Sequence, residues 1–265
     1  NRCTRLCRPV RSLSATAPKI HNYCNKLLYL YINSIPKDIK MNKNYFEIAR
    51  KNMVTNQILP VGVKNKTLIE SFDSIKRELF ITSGNDDLIY SDSDVKFTNE
   101  RNFIRSFLLA KMFEQCSFTK DDKILIIGCL TGYSVAILSN LVGYVFAVEN
   151  DKKTVELANK TLYELNLLNC SVHYKSKLNH GNSKNAPYDK IFIEGSVSNI
   201  PMGIVNQLKE NGKIYTVIKN IDESIGFFVR GLRVKNGLSF TKIFNTNINS
   251  LGDFINESDD YADQN

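Results

Sequence analysis

Cysteine and histidine are too few and too scattered in this sequence to build a site from. The six cysteines include no Cys-x-x-Cys pair, and the three histidines, His21, His173 and His180, stand apart from one another. That excludes a disulfide framework and a zinc site, so no metal is expected, and it leaves no pairing for a proton relay. Cys3, Cys7, Cys24, Cys116, Cys129 and Cys170 are expected as free thiols of a reducing, cytoplasmic setting. Long apolar runs are missing too. The longest candidate, Lys26 to Ile35, falls well short of the roughly 18 residues that span a bilayer, so no membrane partner is expected. Acid is nearly absent from the first forty positions, where eight arginines and lysines face only Asp38. That segment holds almost all of the net charge of +8. Residues 41–265 are close to neutral, which gives no electrostatic reason to expect nucleic acid as a partner.

Residues 1–40 form a basic leader. Arginines with Ser12, Ser14 and Thr16 have the composition of an organellar transit peptide. The other reading is an over-called extension upstream of Met41, because the rest of the chain is crowded with Asn, Lys and Ile and the first dozen residues are not. Either way the leader is set aside from the fold. Beyond it the chain divides into a helical cap over 41–118, a sheet domain over 119–256 and an acidic tail over 257–265.

The cap shows apolar stripes at helical spacing over Tyr45–Gln57, Lys66–Ser74 and Thr98–Cys116. After Asp121-Asp122 the chain alternates. Strands are expected at 123–128, 144–149, 170–175, 190–195 and 213–218, with helices at 133–141 and 151–166 and a short one opening at Pro201. Such alternation implies an α/β, Rossmann-like parallel sheet covered by helices on both faces. Two β-rich runs, Phe227–Val234 and Leu238–Asn245, meet at Asn236-Gly237, a hairpin signal. The fold class is therefore a mostly parallel sheet finished by an antiparallel hairpin, the architecture of S-adenosylmethionine methyltransferases.

One motif carries chemistry. The apolar run Lys123–Ile127 stops at Gly128-Cys129-Leu130-Thr131-Gly132, and a second apolar run, Tyr144–Val148, ends on Glu149. Glu149 lies 21 residues after Gly128, the spacing at which a nucleotide-binding βαβ unit sets a carboxylate beside a ribose diol. Glycines in such a turn let main chain approach a ligand. The turn lacks the third glycine of a dinucleotide fingerprint, which favours S-adenosyl-L-methionine, an adenosine without phosphate. An ordinary strand-turn-helix with an incidental glutamate is the bland alternative. Leu130, branched, either narrows the ligand's approach or points into the core.

Further runs make the likeness specific: Ala49–Val54 with Gln57, Arg77-Glu78-Leu79-Phe80, Tyr90-Ser91-Asp92, Gly128–Ser134, Val148-Glu149, Pro187-Tyr188-Asp189, Leu208–Gly212 and Phe244–Phe254. With these, residues 45–255 resemble the protein-L-isoaspartate O-methyltransferases, most closely a branch found in alphaproteobacteria. The resemblance implies S-adenosyl-L-methionine as cofactor and repair of isoaspartyl residues in a protein or peptide substrate, by a monomer. It implies a cofactor site of Gly128, Cys129, Thr131, Gly132, Glu149, Asn150 and Ser176, and an acceptor site bordered by the helix from Arg101 to Met112. Catalytic side chains are left unassigned, since methylating an existing carboxylate asks for positioning rather than a nucleophile–base pair. Arg77-Glu78 reads equally as a solvated pair. The chain departs from the family pattern at Ile126 (for an acid), Leu130 (for glycine), Ser176 (for an acid), Ile104 (for a hydroxyl residue) and Ser106 (for proline). Those departures keep two alternatives open: a methyltransferase with a different acceptor, or a non-catalytic cofactor-binding module.

Overall fold

In the computed structural model, which describes residues 43–254 apart from 82, 83, 85, 221 and 236, the strand–helix alternation forms one seven-stranded sheet. The expectations for the leader and for the tail lie outside the described residues. The cap contains α1 (Lys43–Met53), α2 (Lys66–Ser74), a ribbon of β1 (Val95–Lys96) and β2 (Asn102–Phe103), and α3 (Ser106–Cys116). The sheet contains β3 (Lys123–Ile127), β4 (Tyr144–Glu149), β5 (Cys170–Tyr174), β6 (Tyr188–Val197), β7 (Leu208–Ile218), β8 (Gly226–Val234) and β9 (Gly237–Thr246). Their order is β5-β4-β3-β6-β7-β8-β9, parallel through β7 and antiparallel beyond it. Helices α4 (Tyr133–Ser139), α5 (Lys152–Glu164) and α6 (Met202–Val205) supply the crossovers. No helix among the described residues is long and apolar enough to cross a membrane.

The strand period of two sorts the core. Ile124, Ile126, Val145, Ala147 and Phe192 face one side and pack with the cap, whereas Leu125, Ile127, Val148, Ile191 and Ile193 face the other. Because β3 is buried on both faces, its run of Ile and Leu has no polar alternation. α5 starts where the Asp151 carboxylate accepts the Thr154 amide at 2.7 Å, and it buries Ala158 and Leu162 against the sheet.

Helix is not what Thr98–Phe103 forms, contrary to the sequence expectation for Thr98–Cys116. Thr98 Oγ1 accepts the amides of Glu100 and Arg101 in a tight turn, and Val95 pairs with Phe103 across the ribbon. The Asp94 carboxylate then takes the Arg105 amide at 2.8 Å, which holds the chain extended until Ser106. The Phe103/Phe107 spacing of four looks helical, yet one ring sits on a strand and the other on α3. Arg101 therefore stands at a turn that reaches the sheet.

Candidate cofactor site

Three of the five residues from Gly128 to Gly132 have left-handed backbone: Gly128 (φ 81°), Leu130 (φ 50°) and Gly132 (φ 91°). The turn is that sharp because β3 must hand over to α4 across these five residues. Leu130 holds a conformation that disfavours branched side chains by about 1–2 kcal/mol. Its amide donates to Glu149 Oε2 at 2.8 Å, and its side chain is 3% exposed, which offsets that cost. The side chain joins the main core cluster, the second of the two readings, and also forms part of the lining of a cleft above the sheet.

That cleft, of about 260 Å³, lies over the carboxyl ends of β3 and β4, with Arg101, Leu130, Glu149, Asn150, Leu251 and Asp253 on its walls. Glu149 is only 2% exposed. Its Oε1 accepts the Asn150 amide at 2.9 Å, and both oxygens meet the Arg101 guanidinium at 3.3 Å. Arg101 Nη2 also donates to the Gly128 carbonyl at 2.9 Å. A second wall comes from beyond β9. The Ser196 amide donates to the Asn249 carbonyl and the Leu251 amide donates back to the Ser196 carbonyl, both at 2.9 Å. Asp253 Oδ2 accepts the Leu178 amide at 2.7 Å. A Cβ on Gly128 would stand 3.1 Å from Arg101 Nη2 and 3.2 Å from Leu251, so the bare glycine is what lets both wall residues pack down on the turn.

The expected residues divide by position. Glu149 and Asn150 stand on the cleft wall, and Gly128 lies beneath Arg101 and Leu251, two of the other wall residues. Thr131 is buried, donating from Oγ1 to the Phe80 carbonyl at 2.6 Å. Gly132 turns toward α5, where a Cβ would meet Ala158 at 3.4 Å. Cys129 is buried, and burial pushes its thiol pKa well up. Ser176 is exposed and does not line the cleft. Ile104 and Ser106 face inward as well: Arg77 Nη1 donates to Ser106 Oγ at 2.8 Å and Nη2 to the Ile104 carbonyl at 3.0 Å. Arg77 is 1% exposed, so it is no solvated partner of Glu78, which pairs with Arg50 instead.

Reasoning from the sequence did not single out Arg101, Leu251, Asp253 or Glu194. Glu194 is a carboxyl closing the apolar run Ile191–Ile193 of β6, and that lone acid was the available signal. Burial pushes its pKa up to about 7, opposed by the Ser134 hydroxyl and by Arg101. The sign of the consequence comes from linkage. Between the ordinary value of 4.5 and about 7 the folded chain keeps a proton that the unfolded chain has lost. Stability therefore falls as pH rises through this window, by about 3 kcal/mol from this group. Urea titrations at pH 5 and pH 7.5 should show the fall, and Glu194→Gln should remove most of it. An identical fall in the variant would assign it elsewhere.

The acceptor set fits S-adenosyl-L-methionine. A buried carboxylate lines the cleft with a strand-end carbonyl beside it, and a guanidinium now supplies to both the donors that a ribose diol and an amino group carry. Glu149 would hold the diol once Arg101 yields it, and the same movement of Arg101 would uncover the Gly128 main chain. A parallel sheet ending in an antiparallel pair, with this carboxylate after its second strand, defines the class of S-adenosylmethionine-dependent methyltransferases.

Comparison with known proteins narrows the class. The protein-L-isoaspartate(D-aspartate) O-methyltransferase family matches residues 49–236. Protein-L-isoaspartate O-methyltransferase 2 of Geotalea uraniireducens is 29% identical over 191 residues, covering 72% of this chain and 87% of that protein. Protein-L-isoaspartate O-methyltransferase of Protochlamydia amoebophila is 32% identical over 162 residues, covering 61% and 77%. Among solved structures, a protein-L-isoaspartate O-methyltransferase superposes with a TM-score of 0.69 at 24% identity, covering 78% of this chain and 67% of the other. A Plasmodium falciparum structure described as a putative protein-L-isoaspartate O-methyltransferase, in complex with S-adenosyl-L-homocysteine, gives 0.64 at 18% identity, covering 77% and 98%. The chain belongs to the protein-L-isoaspartate(D-aspartate) O-methyltransferase family and is an S-adenosylmethionine-dependent methyltransferase.

Proposed function

We propose that this chain methylates the free α-carboxylate of isoaspartyl residues in damaged proteins and peptides. The observation that carries the reading is the extent of the family match, residues 49–236, which takes in the cap as well as the cofactor motif. Bound S-adenosyl-L-methionine supplies an electrophilic methyl group and a good leaving group. What the chain must add is position and dryness. Glu149 fixes the ribose, Gly128, once Arg101 moves off it, lets the ligand lie against main chain, and the walls from the ribbon and from Leu251 exclude water. The acceptor is an anion at neutral pH and needs no base.

The same reading has a monomer acting on protein or peptide substrates in the cytoplasm, away from nucleic acid and membrane. The buried free thiols of Cys116 and Cys129 and the near-neutral charge of residues 41–265 support that setting. A different acceptor is the second reading, favoured by one observation. Ile104 is buried, and the Ser106 hydroxyl is committed to Arg77, so neither position offers a free hydroxyl to a substrate. The experiment is methyl transfer from labelled S-adenosyl-L-methionine to an isoaspartyl peptide and to its aspartyl twin. Base-labile methyl ester on the isoaspartyl peptide alone is expected. No ester on either, with S-adenosyl-L-homocysteine still bound, would move the assignment to the second reading.

A further inference from the structure

Gly128 stands between two acids. Ile127 pairs with Val148 on one side and with Ile193 on the other, so the next residue of β3 is level with Glu149 of β4 and Glu194 of β6. Neighbouring strands are about 4.8 Å apart, which spaces the two acids by about 10 Å across a residue with no side chain. β3 brings no acid of its own to this face, because Ile126 is fully buried among apolar groups.

The two carboxyls are not in the same condition. Glu149 accepts from Leu130, Asn150 and Arg101. Glu194 is 8% exposed, and its Oε2 has no hydrogen-bond partner among the described residues. The charged and polar groups that face it are Ser134 of α4, Arg101 of the ribbon, Glu149 of β4 and Arg77 of the cap. The Ser134 hydroxyl makes no hydrogen bond of normal geometry, Arg101 is spent on Glu149 and Gly128, and Arg77 is spent on Ser106 and Ile104. A buried carboxyl oxygen left without a donor is costly, and a ligand that brings a cationic donor removes the cost.

We infer that Glu194 is the acid that receives the α-ammonium group of the cofactor's methionine moiety, across Gly128 from the ribose-binding Glu149. The inference rests on the cofactor reading of the cleft. It gives the ribose and the amino-acid end of one ligand two separate carboxylates, and it makes the Arg101 guanidinium a stand-in whose donors to Glu149 the ribose hydroxyls replace. It also assigns a partner to the one acid in that row that lacks one.

Calorimetric titration with S-adenosyl-L-methionine and with S-adenosyl-L-homocysteine tests it, on the wild-type chain and on Glu194→Gln between pH 5.5 and pH 7. Both ligands carry the ammonium, and only the first carries the sulfonium. Wild-type affinity should rise about tenfold across this range, because Glu194, raised to about 7, must lose its proton to solvent before it can pair with the ammonium. Glu194→Gln should weaken both ligands by roughly ten- to a hundredfold and flatten the pH dependence. Its thermal transition, no lower than that of the wild type, would show that the fold is intact. Wild-type affinity and pH dependence retained in the variant would overturn the inference alone. Loss confined to S-adenosyl-L-methionine would overturn the ammonium assignment in favour of the sulfonium. Failure of the wild-type chain to bind either ligand would overturn the cofactor reading, and the inference with it.

Discussion

Glu149→Ala is expected to destabilise the protein by about 3–5 kcal/mol and to weaken S-adenosyl-L-homocysteine binding roughly a hundredfold. Two costs add. The Leu130 amide loses its acceptor inside a left-handed turn, and the Arg101 guanidinium, mostly buried, is left with only the Gly128 carbonyl. Relief of carboxylate burial works the other way but is smaller, because that carboxylate is fully partnered. For a chain of this size the loss amounts to roughly 10 °C in the melting transition. Glu149→Gln keeps the shape and one acceptor oxygen, so it should lose about half as much. Adding Arg101→Ala to Glu149→Ala should recover part of the stability, with a coupling of roughly 1–3 kcal/mol. Additive effects would show that the pair is not a unit.

Arg77→Ala should be more damaging still, costing about 4–5 kcal/mol or preventing folding. The side chain is among the largest that the fold fully buries. Its removal opens a cavity, strips donors from Ser106 Oγ and the Ile104 carbonyl, and takes a guanidinium from the Tyr133 ring, whose centroid lies 5.0 Å away. Arg77→Met separates volume from charge. Burial lowers the Arg77 pKa, so its positive charge is held at a cost, and methionine fills most of the space without that cost. Methionine should therefore lose no more than about 2 kcal/mol in urea unfolding. If methionine proved as harmful as alanine, the hydrogen bonds at the start of α3, not packing, would be the larger contribution.

Local pattern was enough for the sheet and not for the walls of the cleft. β3 and β4 announce themselves as apolar runs, and the distance from Gly128 to Glu149 is fixed by one strand, one turn and one helix. Those quantities are local and survive in a linear reading. The antiparallel pairing of β8 with β9 likewise follows a local signal, the Asn-Gly dipeptide written between two β-rich runs. The ribbon at Val95–Phe103 failed because two side-chain acceptors, Thr98 and Asp94, overrode an apolar spacing that suits helix. Glu194 could be seen as a strand-ending acid, but its place beside Gly128 comes from the pairing of β3 with β6, more than sixty residues apart in sequence. Leu251 is an ordinary leucine until main-chain contacts with Ser196 bring it over Gly128.

The position of that leucine orders events during synthesis. β3, β4 and β6 all precede β7, β8 and β9 in the chain, so the pairing that brings both acids level with Gly128 involves no residue made after β6. The wall that Leu251 and Asp253 contribute belongs to residues made only after β7, β8 and β9. A nascent chain halted within the hairpin would therefore carry an open trough in place of a cleft, and would let water and small ions reach Glu149. Ligand capture becomes a late checkpoint of assembly: a chain that retains the nucleoside has already completed its sheet through the last antiparallel strand.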